Sequence, residues 1–178
     1  IKKAFGFDPF ESPKQQILKL NHEVTFQVDY DSFLETRDIQ LYAEDFLHGF
    51  ALKDSYEFDE WMNAVRSRTL DIYLHQVFRE FQQTPSSQIT IRENLFHRYI
   101  QSDPLDERIY MSMMETYMEE KLYLKGINCF ENLVQTLKNE LNMTPSPEIS
   151  QLFRVMMQRW KESKDTNAGT SDHVRHAL

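Results

Sequence analysis

"DPLDERIYMSMMETYMEEKLYLKGINCFENLV", residues 103–134, sets Tyr110, Met113, Tyr117, Gly126 and Phe130 at intervals of three, four, nine and four. Steps of three and four place side chains on one face of a helix, since a turn takes about 3.6 residues. Asp103 ahead of Pro104 predicts the helix start, because the carboxylate can accept from free first-turn amides and a proline at the first helical position loses no needed donor. The stretch therefore reads as two helices, near 104–120 and near 123–142, the second carrying Ile127, Phe130, Leu133, Val134, Leu137 and Leu141 on one side. Tyr110, Met113, Tyr117 and Phe130 are expected in the core, because an aromatic stripe at this period faces a neighbouring helix. Gly126, without a side chain, would let the second helix approach the first closely.

The same patterning extends to both sides. Downstream, Ser146 before Pro147 repeats the start signal, and Ile149, Leu152, Phe153, Met156 and Trp160 predict a last helix near 147–162. The closing "KESKDTNAGTSDHVRHAL" has no sustained apolar face and reads as a frayed or flexible tail over 163–178. Upstream, a long stripe runs through Phe58, Trp61, Met62, Val65, Ile72, Tyr73, Val77 and Phe81, with Asp54 and Glu57 as a capping pair. Thr84 to Ser87 break it, and Ile91, Leu95, Phe96, Tyr99 and Ile100 form the next stripe. Ile39, Tyr42, Ala43, Phe46 and Leu47 also recur at helical spacing, with Gly49 placed to stop that helix in a left-handed conformation. The first thirty residues differ. Ile17 to Leu20 and Val24 to Val28, separated by Asn21, His22 and Glu23, outline a small β-hairpin.

The totals agree with a helical protein. Four glycines and six prolines in 178 residues are too few for a sandwich or barrel that turns every ten residues or so. A hydrophobic fraction of 40% against 27% charged residues supports a folded core rather than disorder. A net charge of −8 repels polyphosphate, so nucleic-acid binding would need a local basic patch, and none of any length is present. The lone Cys129 cannot form an internal disulfide and fits a reducing, cytoplasmic setting as a small buried residue. No long apolar run or signal-peptide core indicates a membrane or export. Opening on Ile1 rather than Met points to a piece of something longer.

Paired helices with short connections are the organisation of stacked helical hairpins, and the intervals of the quoted stretch match the tetratricopeptide pattern. Met114 departs from it, since a small residue is usual there. One repeat earlier, Phe96 and Pro104 fit but Arg92 occupies the small position. Beyond the repeat, Asp45-Phe46-Leu47, Glu57-Phe58 with Trp61, Asp103-Pro104-Leu105-Asp106 and Thr144-Pro145-Ser146-Pro147-Glu148 stand in order across roughly residues 38–155. These blocks resemble the bacterial transcriptional activator domain found beside a winged-helix DNA-binding domain in antibiotic-pathway regulators and in larger multidomain activators. "IKKAFGF" through "VTFQVDYDSFLE" resembles the end of a recognition helix, a wing hairpin and the entry into such a domain.

The resemblance implies a remnant of a winged helix over 1–30 and a mainly α, tetratricopeptide-like activator domain over 31–162. It implies transcriptional regulation by the parent protein, with contacts to RNA polymerase or another transcription protein, and self-association as a homodimer. DNA contact would pass through the parent's winged helix, of which Lys2 and Lys3 would be the remaining DNA-binding residues. On the face of the 104–120 helix away from its core stripe, Arg108, Met111, Glu115 and Met118 form the candidate partner-binding set, two adaptable methionines flanked by charges. The plainer alternative is that Met111 and Met118 pack against the preceding hairpin. No cofactor, metal or enzymatic role is expected: the histidines are scattered, Glu93 and His97 have no second histidine at zincin spacing, and no phosphate-cradling glycine loop exists. A generic helical-repeat scaffold binding a cytoplasmic partner is the second functional reading.

Overall fold

A computed structural model describes residues 10–14, 17–51 and 53–173, with side chains described outside 12–18 and 166–173. Two compact units divide the chain, Ile1–Glu44 and Asp45–Leu178. The sequence reading opens its helical domain at residue 31. Asp31 lies in the first of the two units, within a short helix.

In the first unit, strands β1 (Phe10–Lys14) and β2 (Ile17–Leu20) pair antiparallel, with Phe10 opposite Leu20 and Glu11 opposite Lys19. The hairpin is thus shifted from its expected place: Ile17–Leu20 is a strand, but its partner lies upstream rather than at Val24–Val28. Pro13 argues against a strand in the sequence because it lacks a donor. In a two-stranded ribbon both strands are edges, so that missing donor costs little, and the upstream partner is reached with only Gln15 and Gln16 between the strands. Val24 to Val28 carries no ladder and leads into helix α1 (Asp29–Thr36). Arg37, left-handed at φ 60°, closes α1 by donating its amide to Phe33 O. Phe33 and Ile39 are buried, and Phe33 tilts against Tyr42 with ring centres 5.7 Å apart.

The expected helix through Ile39 and Leu47 is absent. Only a 3₁₀ turn, Ile39–Leu41, forms, capped where Asp38 accepts from the Gln40 amide at 2.9 Å. Leu47 at φ 52° and Gly49 at φ 72° then turn the chain in the left-handed region, which ends any α-helical ladder. The carbonyls of Phe46 and Leu47 accept instead from Arg66 Nε and Nη2, each at 2.7 Å. The expected Asp54–Glu57 capping pair also does not form: Asp54 is itself left-handed at φ 56°, and Ser55 precedes the next helix without a side-chain cap bond.

The second unit is a stack of helices: α2 (Tyr56–Gln83), α3 (Ile89–Ser102), α4 (Glu107–Glu119), α5 (Tyr123–Leu141) and α6 (Pro147–His173). Helix α2 packs on α3, α3 on α4, α4 on α5, and α6 on both α4 and α5. Helix α4 therefore has neighbours on three sides, and Ile109, Met113, Met114 and Thr116 on it are fully buried. Leu133 of α5 and Ile149 and Met156 of α6 complete that core. Met114, bulky where the repeat pattern has a small residue, is absorbed by this three-sided packing.

Gly126 matters for a different neighbour than the sequence suggests. A methyl group added there would lie 2.5 Å from Met156 Sδ and Cε, against an ordinary 3.4 Å from Tyr117 Cβ. The glycine thus admits α6 rather than α4. Phe130 likewise looks toward α6: it is half-buried and stacks on Phe153 with centroids 4.2 Å apart and planes 14° apart. The last helix begins at Pro147 as the sequence predicts, and its backbone stays helical past residue 162 to His173. No proline or glycine-rich turn interrupts that stretch, and Gln158 supports it by bonding Glu162 one turn on, at 2.9 Å.

Candidate protein-contact surface on helices α2 to α4

Helix α4 starts three residues later than Asp103-Pro104 suggests, and the reason is in the loop. Asp103 accepts from the Leu105 amide at 3.2 Å, an Asx turn that uses its carboxylate before the helix begins. Asp106 takes the capping role, accepting from the Arg108 amide at 3.0 Å. The same carboxylate grips the Arg108 guanidinium, Nε at 2.9 Å and Nη2 at 2.6 Å, and accepts from the Tyr99 hydroxyl of α3. Burial works to raise the Asp106 carboxyl, but the bonds from Arg108 and Tyr99 outweigh it and hold its pKa below the ordinary value. Tyr99 moves the other way, raised by burial and by its bond to Asp106.

Glu107, next along, fixes the far end of the stack. Its carboxylate accepts from the Ser146 amide at 3.0 and 3.1 Å and from the Ser146 hydroxyl, so an acid of α4 satisfies donors at the start of α6. On the opposite side, Glu93 of α3 accepts from Tyr117 at 2.9 Å and Lys125 at 2.8 Å. The Lys125 bond is the largest cause of its lowered pKa. Arg92, in the small-residue position, donates to Thr84 O at 2.8 Å and to the Thr116 hydroxyl, and lies 4.7 Å over the Phe81 ring. The arginine fills that position by joining α2, α3 and α4.

Of the predicted partner set, Arg108, Met111, Glu115 and Met118 lie along one ridge of α4, three or four residues apart. Glu115 is exposed, and Met111 and Met118 are half-buried. The Arg108 side chain, 76% exposed, sits 6.0 Å from the Phe78 ring centre of α2 and borders a cleft with Asp71, Leu74, His75, Phe78, Tyr99 and Asp103. The structure thus joins Arg108 to α2 residues that sequence reading missed. Leu74 and Phe78 were legible as partners of the stripe through Tyr73, Val77 and Phe81, one position round the helix. This cleft offers charges of both signs beside an aromatic floor, which suits polar and apolar groups of a protein surface.

Lys2 and Lys3 lie outside the described residues. Cys129 is buried, and burial pushes its thiol up to about 12, leaving little thiolate at neutral pH. Among the described residues, no group of three or more His, Cys, Asp or Glu could hold a metal ion, and no helix is long and apolar enough to cross a membrane.

The architecture defines a class: stacked helical hairpins whose neighbouring helices are joined by polar networks. Within that class, the bacterial transcriptional activator domain matches residues 45–156, more than half of the chain, and the chain belongs to that family. The match opens at the residue where the second compact unit begins. Compared with curated proteins and with solved structures, the chain finds no match.

Proposed function

We propose that this chain is the protein-contact and activating portion of a bacterial transcriptional regulator, acting in the cytoplasm. It recruits RNA polymerase or another transcription protein, and it associates with a second copy of itself when the parent does. The observation that carries this reading is the family match over residues 45–156, which takes in α2 to α5 and the first turns of α6. The mechanism is thermodynamic: a partner buries surface on the array and its local concentration at a promoter rises, while DNA is held by the parent's winged helix. No bond is made or broken.

The contact ridge in this reading is Arg108, Met111, Glu115 and Met118, where flexible thioethers adapt to a partner and flanking charges set its orientation. The test fuses the whole chain to a heterologous DNA-binding domain and measures transcription from a promoter bearing its site. Activation is expected, together with capture of RNA polymerase holoenzyme. The double substitution Met111→Glu/Met118→Glu should lower both by about tenfold, a loss of about 1.4 kcal/mol in contact energy, with the helical circular dichroism unchanged. A folded fusion that leaves transcription at background would remove the reading.

A further inference from the structure

The start of α2 and the loop before it expose aromatic side chains that the core does not take in. Tyr56 is 79% exposed, Trp61 50%, Phe50 46% and Leu47 39%. Phe50 and Trp61 belong to one cluster through ring contacts: Phe46 with Trp61 at 5.7 Å, Phe58 with Trp61 at 5.4 Å, and Phe50 with Phe58 at 5.7 Å. Tyr56, five residues before Trp61, lies about 140° round the helix from it. Phe46 and Leu47 are held in place, since Arg66 grips their carbonyls. A surface already ordered loses little conformational freedom on binding.

Charge chooses the occupant. Between Asp45 and Arg66 the chain carries Asp45, Asp54, Glu57, Asp59 and Glu60 against Lys53 and the Arg66 that holds the loop carbonyls, so carboxylates predominate; of these all but half-buried Asp59 and Arg66 are exposed. An anionic lipid surface or a nucleic acid is repelled by that ring of carboxylates. A second copy would bring like charges together across a two-fold contact, on a chain whose net charge is already −8. Among the described residues of Asp45–Leu178 there is no strand, so an extended peptide finds no edge to pair with and would leave its own backbone unsatisfied. A helix satisfies its own backbone. Lysine and arginine along its flanks would meet the carboxylates, and arginine also stacks on exposed Trp and Tyr.

We propose that this patch is a docking site for a cationic amphipathic helix of a partner protein, its apolar face on Phe50, Phe58 and Trp61 and its basic flanks on Asp54, Glu57 and Glu60. The inference rests on the reading of the chain as a protein-contact domain and adds a second surface, separate from the α4 ridge.

The probe is a synthetic amphipathic helix of leucine and lysine, titrated into the full chain while tryptophan fluorescence and heat are recorded. Binding should weaken by about tenfold or more in Glu57→Lys/Glu60→Lys and in Phe50→Ser/Trp61→Ser, the latter followed by heat alone, and should weaken as salt is raised. Equal binding by a scrambled peptide of the same composition, or binding unchanged in both variants, overturns the proposal. So does a wild-type dimer that Phe50→Ser/Trp61→Ser dissociates, which would make a second copy the occupant. Binding seen only after residues 1–9 are removed also overturns it, because the chain's own Lys2–Lys3 segment would then be the occupant. The reporter fusion separates the two levels: activation retained without peptide binding sinks this site alone, and peptide binding without activation sinks the wider reading alone.

Discussion

Tyrosine serves opposite purposes in the middle of the helical stack and at its start. Tyr117, on α4, is 8% exposed, lies under Gly126 and gives its hydroxyl to Glu93. Tyr56, at the first position of α2, is 79% exposed. Around Tyr117 three helices converge, so an aromatic ring is enclosed and its one polar atom must find a partner. Near Tyr56, at the start of α2, rings of the loop and of the first turns meet one another edge to face at the surface. The difference teaches that aromatic content alone does not locate a core. The number of helices meeting at a position does.

Substitutions at matched positions would break that contrast or sharpen it. Tyr117→Ala should have the largest effect, destabilising the chain by about 3–5 kcal/mol in urea unfolding, because a buried ring is deleted and Glu93 loses a donor. Gly126→Ala comes next. The added methyl group forces Met156 to move within a full core, at about 1–3 kcal/mol, while alanine regains about 1 kcal/mol of helix propensity, so a net loss near 1 kcal/mol is expected. Met156→Val clears the δ atoms, and the double variant should show favourable coupling in a mutant cycle.

Asp106→Asn should cost about 1 kcal/mol at neutral pH, since asparagine still caps the helix but the charged bonds to Arg108 and Tyr99 weaken, the Arg108 end being largely exposed. The pH dependence has a definite sign. The folded carboxyl has a pKa below its unfolded value, so its stabilisation is complete above the unfolded pKa of about 3.9 and is lost as pH falls through the folded one. Wild type and Asp106→Asn should therefore converge in stability at acid pH, as urea titrations would show. Smallest of all, Tyr56→Ala should change unfolding free energy by no more than about 0.5 kcal/mol. A large loss there would mean that Tyr56 belongs to the core after all.

Most of the stack was legible in the sequence because its helices carry their own period. Pro147, the break at Thr84 to Ser87, and the burial of Tyr110, Met113 and Tyr117 all follow from spacing and start signals. What escaped depended on groups distant in sequence. The segment from Ile39 to Leu47 has helical spacing, yet Arg66, about twenty positions on, holds the carbonyls of Phe46 and Leu47. Pro13 disguised a strand that an edge position tolerates. Asp103 and Asp106 are both plausible caps, and only the loop's Asx turn decides between them. At the candidate surface the α4 ridge was readable from its period, whereas Asp71, His75 and Phe78 join Arg108 only through the packing of α2, α3 and α4.

Arg92 has a consequence for how such arrays diversify. In a uniform repeat each hairpin offers the same small residue to its neighbours, so units can be exchanged, duplicated or deleted with little penalty. Here the planar fork of one arginine needs a carbonyl at Thr84, a hydroxyl at Thr116 and a ring at Phe81, three features supplied by the end of α2 and by α4. The hairpins are thereby numbered: each has one address, and shuffling them would strand a cation in the seam.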